Sequence, residues 1–507
     1  MRFAGIFILI FFSHSISAQN DLDAIRYSRL SQSNGSSRYT AMGGAFGALG
    51  ADLGCATTNP AGLGIYRKGD VNFSAGLRFT HNTGTAYGKT VRYDDANFVY
   101  NNFGVAMAWN AENDKESRHV LAFTSTQLQN FYNATRISGY TNSNSIALDM
   151  LNKAQAVNNR YLLDYTYEGL GYNTYLLDSM SGKFYSFVDT KRSLLQTRDI
   201  KTGGRINELN FSYAYSLKDK FYFGVSIGIP RTTYTSTTTH YETDDKDSMK
   251  IYKVAPGTYS STYMSDLLGV DTTKLGFNSL KYTEYFATSG SGLNAKLGMV
   301  ARVNSWFRAG VYVHTPTIYN NRDYYYYDLE STFDLSPKSP VTAGFPDEGT
   351  AYFDYKIITP ARFGIAAGFI IKKLGAFNID YELVDYRKAK LGSDDPSDFA
   401  GVNAVIDQKY SIASNIRAGA EFNIKPVMLR AGYVMQGSPF GELFSGDFVR
   451  HTISLGFGFR TKSNFYYDFA WVKNISSEKY YMFQTLSTSA AIRYNNSMLA
   501  ATIGLKF

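Results

Sequence analysis

The sequence predicts an all-β protein: a 14-stranded antiparallel transmembrane β-barrel with an N-terminal hatch folded into its lumen. Three observations lead to this. Apolar residues alternate at period two in segment after segment, while the opposite face carries charges of both signs between glycines. Short connections alternate with long ones along the chain. An export signal opens the sequence, and an alternating strand that finishes on an aromatic residue closes it.

The N-terminus comes first. Met1-Arg2, the apolar run Phe3 to Phe12 and the small residues up to Ala18 have the order of a secretory signal, so residues 1–18 are read as a signal peptide. The apolar run is about half of the ~20 residues that a spanning helix requires, which argues against an anchor. Cleavage after Ala18 leaves Gln19 and not a cysteine, so no N-terminal lipid is implied.

Residues 19–68 are read as the hatch, with Ser36 to Gly64 (SSRYTAMGGAFGALGADLGCATTNPAGLG) at its centre. Gly43 and Gly44 permit φ > 0 and close backbone approach. Asn59-Pro60 imposes a turn, because proline sets its own φ and pushes the preceding residue out of the α region. Neither a strand nor a solvated loop explains such a segment; a compact plug does. Cys55 within it is read as a small buried filler.

The barrel is assigned to residues 69–507. Val71, Phe73, Ala75, Leu77 and Phe79 alternate with Asn72, Ser74, Gly76, Arg78 and Thr80. The same pattern recurs from Phe103 to Trp109, Leu209 to Tyr215, Phe221 to Ile229, Leu293 to Met299, Phe307 to Val313, Phe363 to Phe369 and Phe377 to Leu383. It continues from Ile416 to Phe422, Leu429 to Tyr433, Ile453 to Phe459, Phe465 to Trp471 and Leu499 to Phe507. A less regular strand near Val120 to Gln127 brings the count to 14.

On the second face stand Arg78, Glu208, Lys296, Arg308, Arg362, Asp380, Glu382, Arg417, Glu421, Arg430 and Asp468. Polar inside and apolar outside is the lumen of a membrane barrel, whereas an ordinary sheet would turn such charges to water. Lipid offers no partner to a backbone N–H or C=O, so the sheet must close. Hairpins at Leu217 to Lys220, Arg302 to Ser305, Lys372 to Leu374, Asn423 to Pro426 and Arg460 to Ser463 are short, and residues 131–203, 231–289, 318–350, 385–413, 436–450 and 473–495 form the long, outer connections. Eight strands already fill a barrel with side chains, so fourteen leave a lumen that needs a plug.

Composition sets limits. Of 507 residues, 16% are aromatic, with 41 Tyr, 36 Phe and 44 Gly against 11 Pro, a balance that favours strands with tight turns. A single cysteine excludes internal disulfides. The net charge of +8 is spread without a basic run, so no nucleic-acid partner is expected. His81, His119, His240, His314 and His451 lack metal-ligand spacing and stand beside no nucleophile; neither an enzyme nor a metal or other cofactor is expected.

Met42-Gly43-Gly44-Ala45-Phe46, Ala51-Asp52 and Asn59-Pro60-Ala61-Gly62-Leu63 resemble the hatch of the FadL family of outer-membrane channels for long-chain fatty acids and other hydrophobic compounds. Later segments, among them Gly203 to Glu208, His314-Thr315-Pro316 and Asp380-Tyr381-Glu382, resemble the branch of that family common in Bacteroidetes, whose members are sometimes labelled haemin receptors. The resemblance implies passive uptake of a fatty-acid-like ligand in the cell outer membrane: capture by outer loops, a pocket in the lumen, and sideways release when the hatch moves. Hatch residues implied are Gly43, Gly44, Asp52, Asn59, Pro60, Ala61 and Gly62. The final strand, ending at Phe507, resembles the signal read by the barrel-assembly machinery. Expected partners are thus the hydrophobic ligand, outer-membrane lipid and that machinery, with a monomeric barrel.

In characterised members a kink in the third strand opens the wall, yet Ser117 to Phe131 contains neither Gly nor Pro. Residues 131–203, with a helix expected from Ile146 to Ala156, are the capture element, and Tyr324 to Tyr327 are placed at the outer interface. The competing functional class is a platform on the same barrel, serving secretion or surface attachment.

Overall fold

The computed structural model describes residues 20–507 apart from 32, 113, 181, 250–275, 334–339, 346–350, 396, 425, 442–447, 484–485 and 487–488. The expected signal peptide lies outside the described residues.

Fourteen antiparallel strands form one closed sheet. They are β1 (Asp70–Ala86), β2 (Lys89–Ala111), β3 (Asp114–Asn130, resuming as Asn133–Thr141), β4 (Leu194–Leu217), β5 (Phe221–Thr243), β6 (Phe277–Arg302) and β7 (Phe307–His314, resuming as Ile318–Phe333). The second half is β8 (Tyr352–Ile358, resuming as Arg362–Ile371), β9 (Gly375–Asp385), β10 (Ile412–Ile424), β11 (Val427–Gln436), β12 (Arg450–Arg460), β13 (Phe465–Tyr480) and β14 (Ala490–Lys506). Closure is made by β1 on β14, from Asp70 opposite Lys506 to Thr85 opposite Ala491. All 14 alternating segments named from the sequence fall on these strands, the last overrunning its strand by Phe507 alone.

Alternation sets the two faces. Phe73, Leu77, Phe211, Ile227, Leu297, Ile365, Leu455 and Leu499 stand exposed on the outer wall, while Glu208, Lys296, Asp380, Arg417 and Arg430 are buried on the inner one. A membrane strand needs only ~9–11 residues. β6 has 26 and β4 has 24, so their distal halves rise beyond the bilayer. This upper half takes up much of what reads as long loops. In Arg231 to Thr243, Thr and Tyr occupy both faces, which keeps β propensity high while erasing the apolar alternation that marks a membrane strand.

The outer end is capped. Helices α3 (Ile146–Val157) and α4 (Glu168–Asn173) and a small hairpin, Leu177–Met180 with Lys183–Ser186, pack over the mouth. Ile146, Met150, Leu170, Leu177, Phe277, Leu329 and Phe483 share one buried cluster there. The cap is tied down by Glu242 on the inner face of β5. Its carboxylate accepts the Ile146 N–H at 2.7 Å, the Ser145 hydroxyl at 2.5 Å and the Gln196 amide at 2.8 Å.

Candidate functional site

The segment Asn20 to Tyr66 packs against the inner wall. Its first element, α1 (Asp21–Ser28), carries a capping box: the Asn20 side chain accepts from Leu22 N, and Asp23 accepts from Asn20 N, both at 2.9 Å. Ala24, Ile25 and Tyr27 bury against Tyr319, Tyr355, Ile357 and Tyr386 of the upper barrel. Two links fasten the helix. Lys409 reaches Asp21 at 2.6 Å, and Arg29 donates to the Gly437 carbonyl at 2.9 Å.

Below α1 lie the short helix α2 (Ser37–Ala41) and two 3₁₀ turns, Leu53–Thr57 and Pro60–Ile65. Asp52 joins two of these elements, accepting from Ser36 Oγ at 2.9 Å and from Gly54 N at 2.9 Å. Asn59 closes the second turn, its Oδ1 accepting from Ala61 N at 3.1 Å while its Nδ2 donates to the Gly47 carbonyl at 2.6 Å. Gly43 and Gly44 have φ of +63° and +71°, a region that side chains disfavour. Pro60 begins its turn where a missing N–H costs nothing. The Gly62 carbonyl accepts from Ala51 N at 2.9 Å and folds the segment back on itself.

Inner-wall glycines make room for this backbone. A Cβ on Gly298 would stand 1.8 Å from Asn59 Oδ1, one on Gly224 2.3 Å from Ala61 N, and one on Gly432 2.3 Å from Gly43 N. At Gly224 and Gly432 the plug meets the wall backbone to backbone, and at Gly298 through the Asn59 side chain.

Of the charged residues read as a lumen network, the structure brings together three groups. Glu208 and Lys296 pair at 2.8 Å, with Asn294 bonded to both. Arg417 lies 3.3 Å from Asp380, whose carboxylate also accepts from Gly47 N in the plug, and Arg362 lies 3.6 Å from Glu382. Glu421 is clamped between Arg430 at 2.7 Å and Arg38 of α2 at 2.9 Å, and Arg430 also reaches Asp468 at 2.6 Å. Arg308 instead donates to the Leu49 carbonyl at 2.7 Å. Arg78 lies on the inner face of β1 but forms no ion pair among the described residues, and its Nε has no hydrogen-bond partner.

Sequence reasoning missed Arg38, which forms the plug's bidentate link to the wall. A signal was available, since Arg38 is the only basic residue between Ser36 and Gly64. It also missed α1, whose eight residues are too short a window for helical periodicity to show.

Between α1 and the 3₁₀ turns lies a cavity of about 70 Å³, bordered by Glu208, Lys296, His314, Arg362, Glu382 and Arg417. Its charged and hydroxyl-bearing lining suits water and not hydrocarbon. The lumen centre is polar and filled.

Among the described residues the wall parts between β2 and β3. The β2–β3 ladder runs up to Asn102 opposite Thr126 and stops, although β2 continues to Lys89. Both strands bulge at that height: Asn101 is skipped in the β1–β2 register and Leu128 in the β3–β4 register. Bulges end pairing and redirect strands. Upper β3 then crosses behind β2 onto the inner face of β1, where Asn82 Nδ2 donates to the Ala134 carbonyl at 2.7 Å and a Cβ on Gly84 would meet the Arg136 carbonyl at 2.5 Å. Phe98, 68% exposed, stands on β2 above the parting. No glycine or proline of β3 marks this place; the bulges make it.

No family model and no curated protein matches the sequence. Solved structures do. The P. putida toluene transporter TodX aligns over 94% of this chain and 99% of its own, at 9% identity and a TM-score of 0.51. The Ralstonia pickettii toluene transporter TbuX covers 94% and 99% at 14% identity and 0.50. A Pseudomonas aeruginosa FadL homologue covers 94% and 98% at 12% identity and 0.52. The chain therefore has the fold of these FadL-type outer-membrane channels, a closed fourteen-stranded barrel with an N-terminal segment packed in its lumen.

Proposed function

We propose that this protein is a passive outer-membrane channel for hydrophobic small molecules of the fatty-acid or aromatic-hydrocarbon kind, which leave through the barrel wall and not along its axis. The observation that carries this reading is the parted β2–β3 ladder beside a filled, charged lumen. An apolar solute gains ~0.8 kcal/mol for each buried CH₂, so it follows apolar surface and avoids a centre lined by buried charge. The solute is taken up at the capped mouth, and movement of the Asn20–Tyr66 segment opens the way to the gap. Pro60 and its Asn59 cap form the part of the hatch that has to yield. The toluene transporters of the same fold support the substrate class.

The test is uptake of a radiolabelled long-chain fatty acid and of toluene in cells with and without the gene. A rate at least several-fold lower in the deletion, restored by the wild-type chain, supports the reading. Equal uptake, together with a stable protein partner on pull-down, overturns it in favour of a platform.

A further inference from the structure

The outer wall of β4 to β8 is ordered by height in a way that lipid chains alone do not require. Ile229, Ile318 and Ile358 form the top of its apolar belt. One step outward along each strand, the register sets Asn207, Arg231, Ser291, Asn320 and Lys356 side by side across five neighbouring strands. A further step places Arg205 on β4 and Arg322 on β7. Arg205, Arg231, Arg322 and Lys356 are all exposed. Arg322 is held bidentately by Asp354 at 2.7 Å, whereas Arg205, Arg231 and Lys356 form no ion pair among the described residues. Between Arg322 and Lys356 the surface is hollowed into a pocket of about 280 Å³, which Asp354 and Asp394 also border.

Above the cations the same strands turn aromatic. Tyr326 stacks on Tyr285 with ring centres 5.0 Å apart, Tyr324 meets Tyr285 at 5.9 Å, and Arg322 lies 4.9 Å over the ring of Tyr352. Of the four consecutive tyrosines, Tyr324 and Tyr326 thus belong to the outer wall. Tyr327 turns inward, stacked on the buried Tyr282. An interface belt for plain lipid would place tyrosine beside the apolar residues. Here two rows of polar and cationic side chains intervene.

We propose that this face binds a phosphorylated glycolipid of the outer leaflet. Its order of apolar belt, cations and aromatic faces matches the order of acyl chains, phosphates and sugar rings in such a molecule. Arg231 and Lys356, three strand spacings apart or roughly 14 Å, meet a headgroup that carries more than one phosphate. Arginine suits phosphate through its planar fork. The paired rings of Tyr285 and Tyr326 pack against the C–H faces of the sugar. The site lies on the outside of the barrel and does not depend on what passes within.

The test uses the full-length barrel in nanodiscs and four probes: an acylated disaccharide lipid with two phosphates, the same lipid enzymatically dephosphorylated, phosphatidylglycerol and inorganic phosphate. Expected is at least tenfold tighter binding of the phosphorylated glycolipid than of the dephosphorylated form, with inorganic phosphate a weak competitor. The R231Q/K356Q variant should lose about fivefold per removed charge. Y285A/Y326A should weaken the glycolipid while leaving phosphatidylglycerol unchanged. Heat-modifiable migration on a gel confirms that each variant is a closed barrel, and R205Q provides a milder substitution should the double variant fail to insert. Equal affinity for the phosphorylated and dephosphorylated lipids overturns the proposal, as does charge substitution without effect. Phosphatidylglycerol binding as tightly as the glycolipid and indifferent to the tyrosines also overturns it, in favour of a general anionic surface.

Discussion

Asn59 shows how one side chain can hold a plug. It caps a turn, ties that turn to Gly47 and lies where a Cβ on Gly298 would intrude at 1.8 Å. Asn59→Ala removes the cap, at a cost of ~1 kcal/mol, and the Gly47 bond with it. Cells carrying it in a deletion background should become more sensitive to large antibiotics while the barrel remains folded; unchanged sensitivity in an inserted variant counts against a gating role. Gly298→Ala should produce the same sensitivity from the wall side. Glu421 tests the link between plug and wall differently. Glu421→Ala leaves Arg38 and Arg430 facing each other without their shared carboxylate. Breaking a buried pair of this kind costs ~3–5 kcal/mol, so the unfolding temperature should drop measurably by gel-shift assay. Arg38 was open to recognition in the sequence as a lone cation in a stretch of small residues. Glu421 was legible as an inner-face charge, but its pairing with Arg38 was not, because the two lie 383 positions apart and only barrel closure brings them together.

At the scale of elements, the strands were legible and their ends were not. Alternation identifies a strand wherever one face meets lipid, and it fades where both faces meet water or the cap, as in the Thr-rich run from Thr232 to Thr243. The parting of β2 from β3 was illegible for a related reason. A bulge is a property of a pair of strands, and neither Asn101 nor Leu128 is a residue that demands one. Deleting Leu128 should restore the ladder to its neighbour and lower uptake of a hydrophobic solute several-fold, with the folded fraction unchanged; normal uptake would show that the gap is not the exit. The cap offers a separate test. Glu242→Ala removes the two hydrogen bonds that anchor the start of α3, and a third to Gln196 of β4. Residues 146–157 should then be cut faster by a protease added to intact cells, with barrel migration unaltered.

For the whole molecule, closure and filling are separable. Closure rests on the continuous β1–β14 register, whereas the plug meets the wall mainly through backbone contacts, Arg38, Asp380 and Arg308. Removing residues 20–66 should therefore leave a barrel that inserts and migrates as folded, with a large rise in single-channel conductance; failure to insert would show that the plug is part of the folding unit. By itself the sequence determined the class of the protein, its strand number, the sense of its two faces and the segment that fills it, since period-two alternation and glycine-rich irregularity are local properties that lipid and close packing impose on any chain. Only the tertiary structure decided which charges pair, where the wall parts, that the central cavity is small and polar, and that cations and tyrosines from five strands line up on one outer face. Each of these depends on register between strands far apart in sequence, and register is set when the barrel closes.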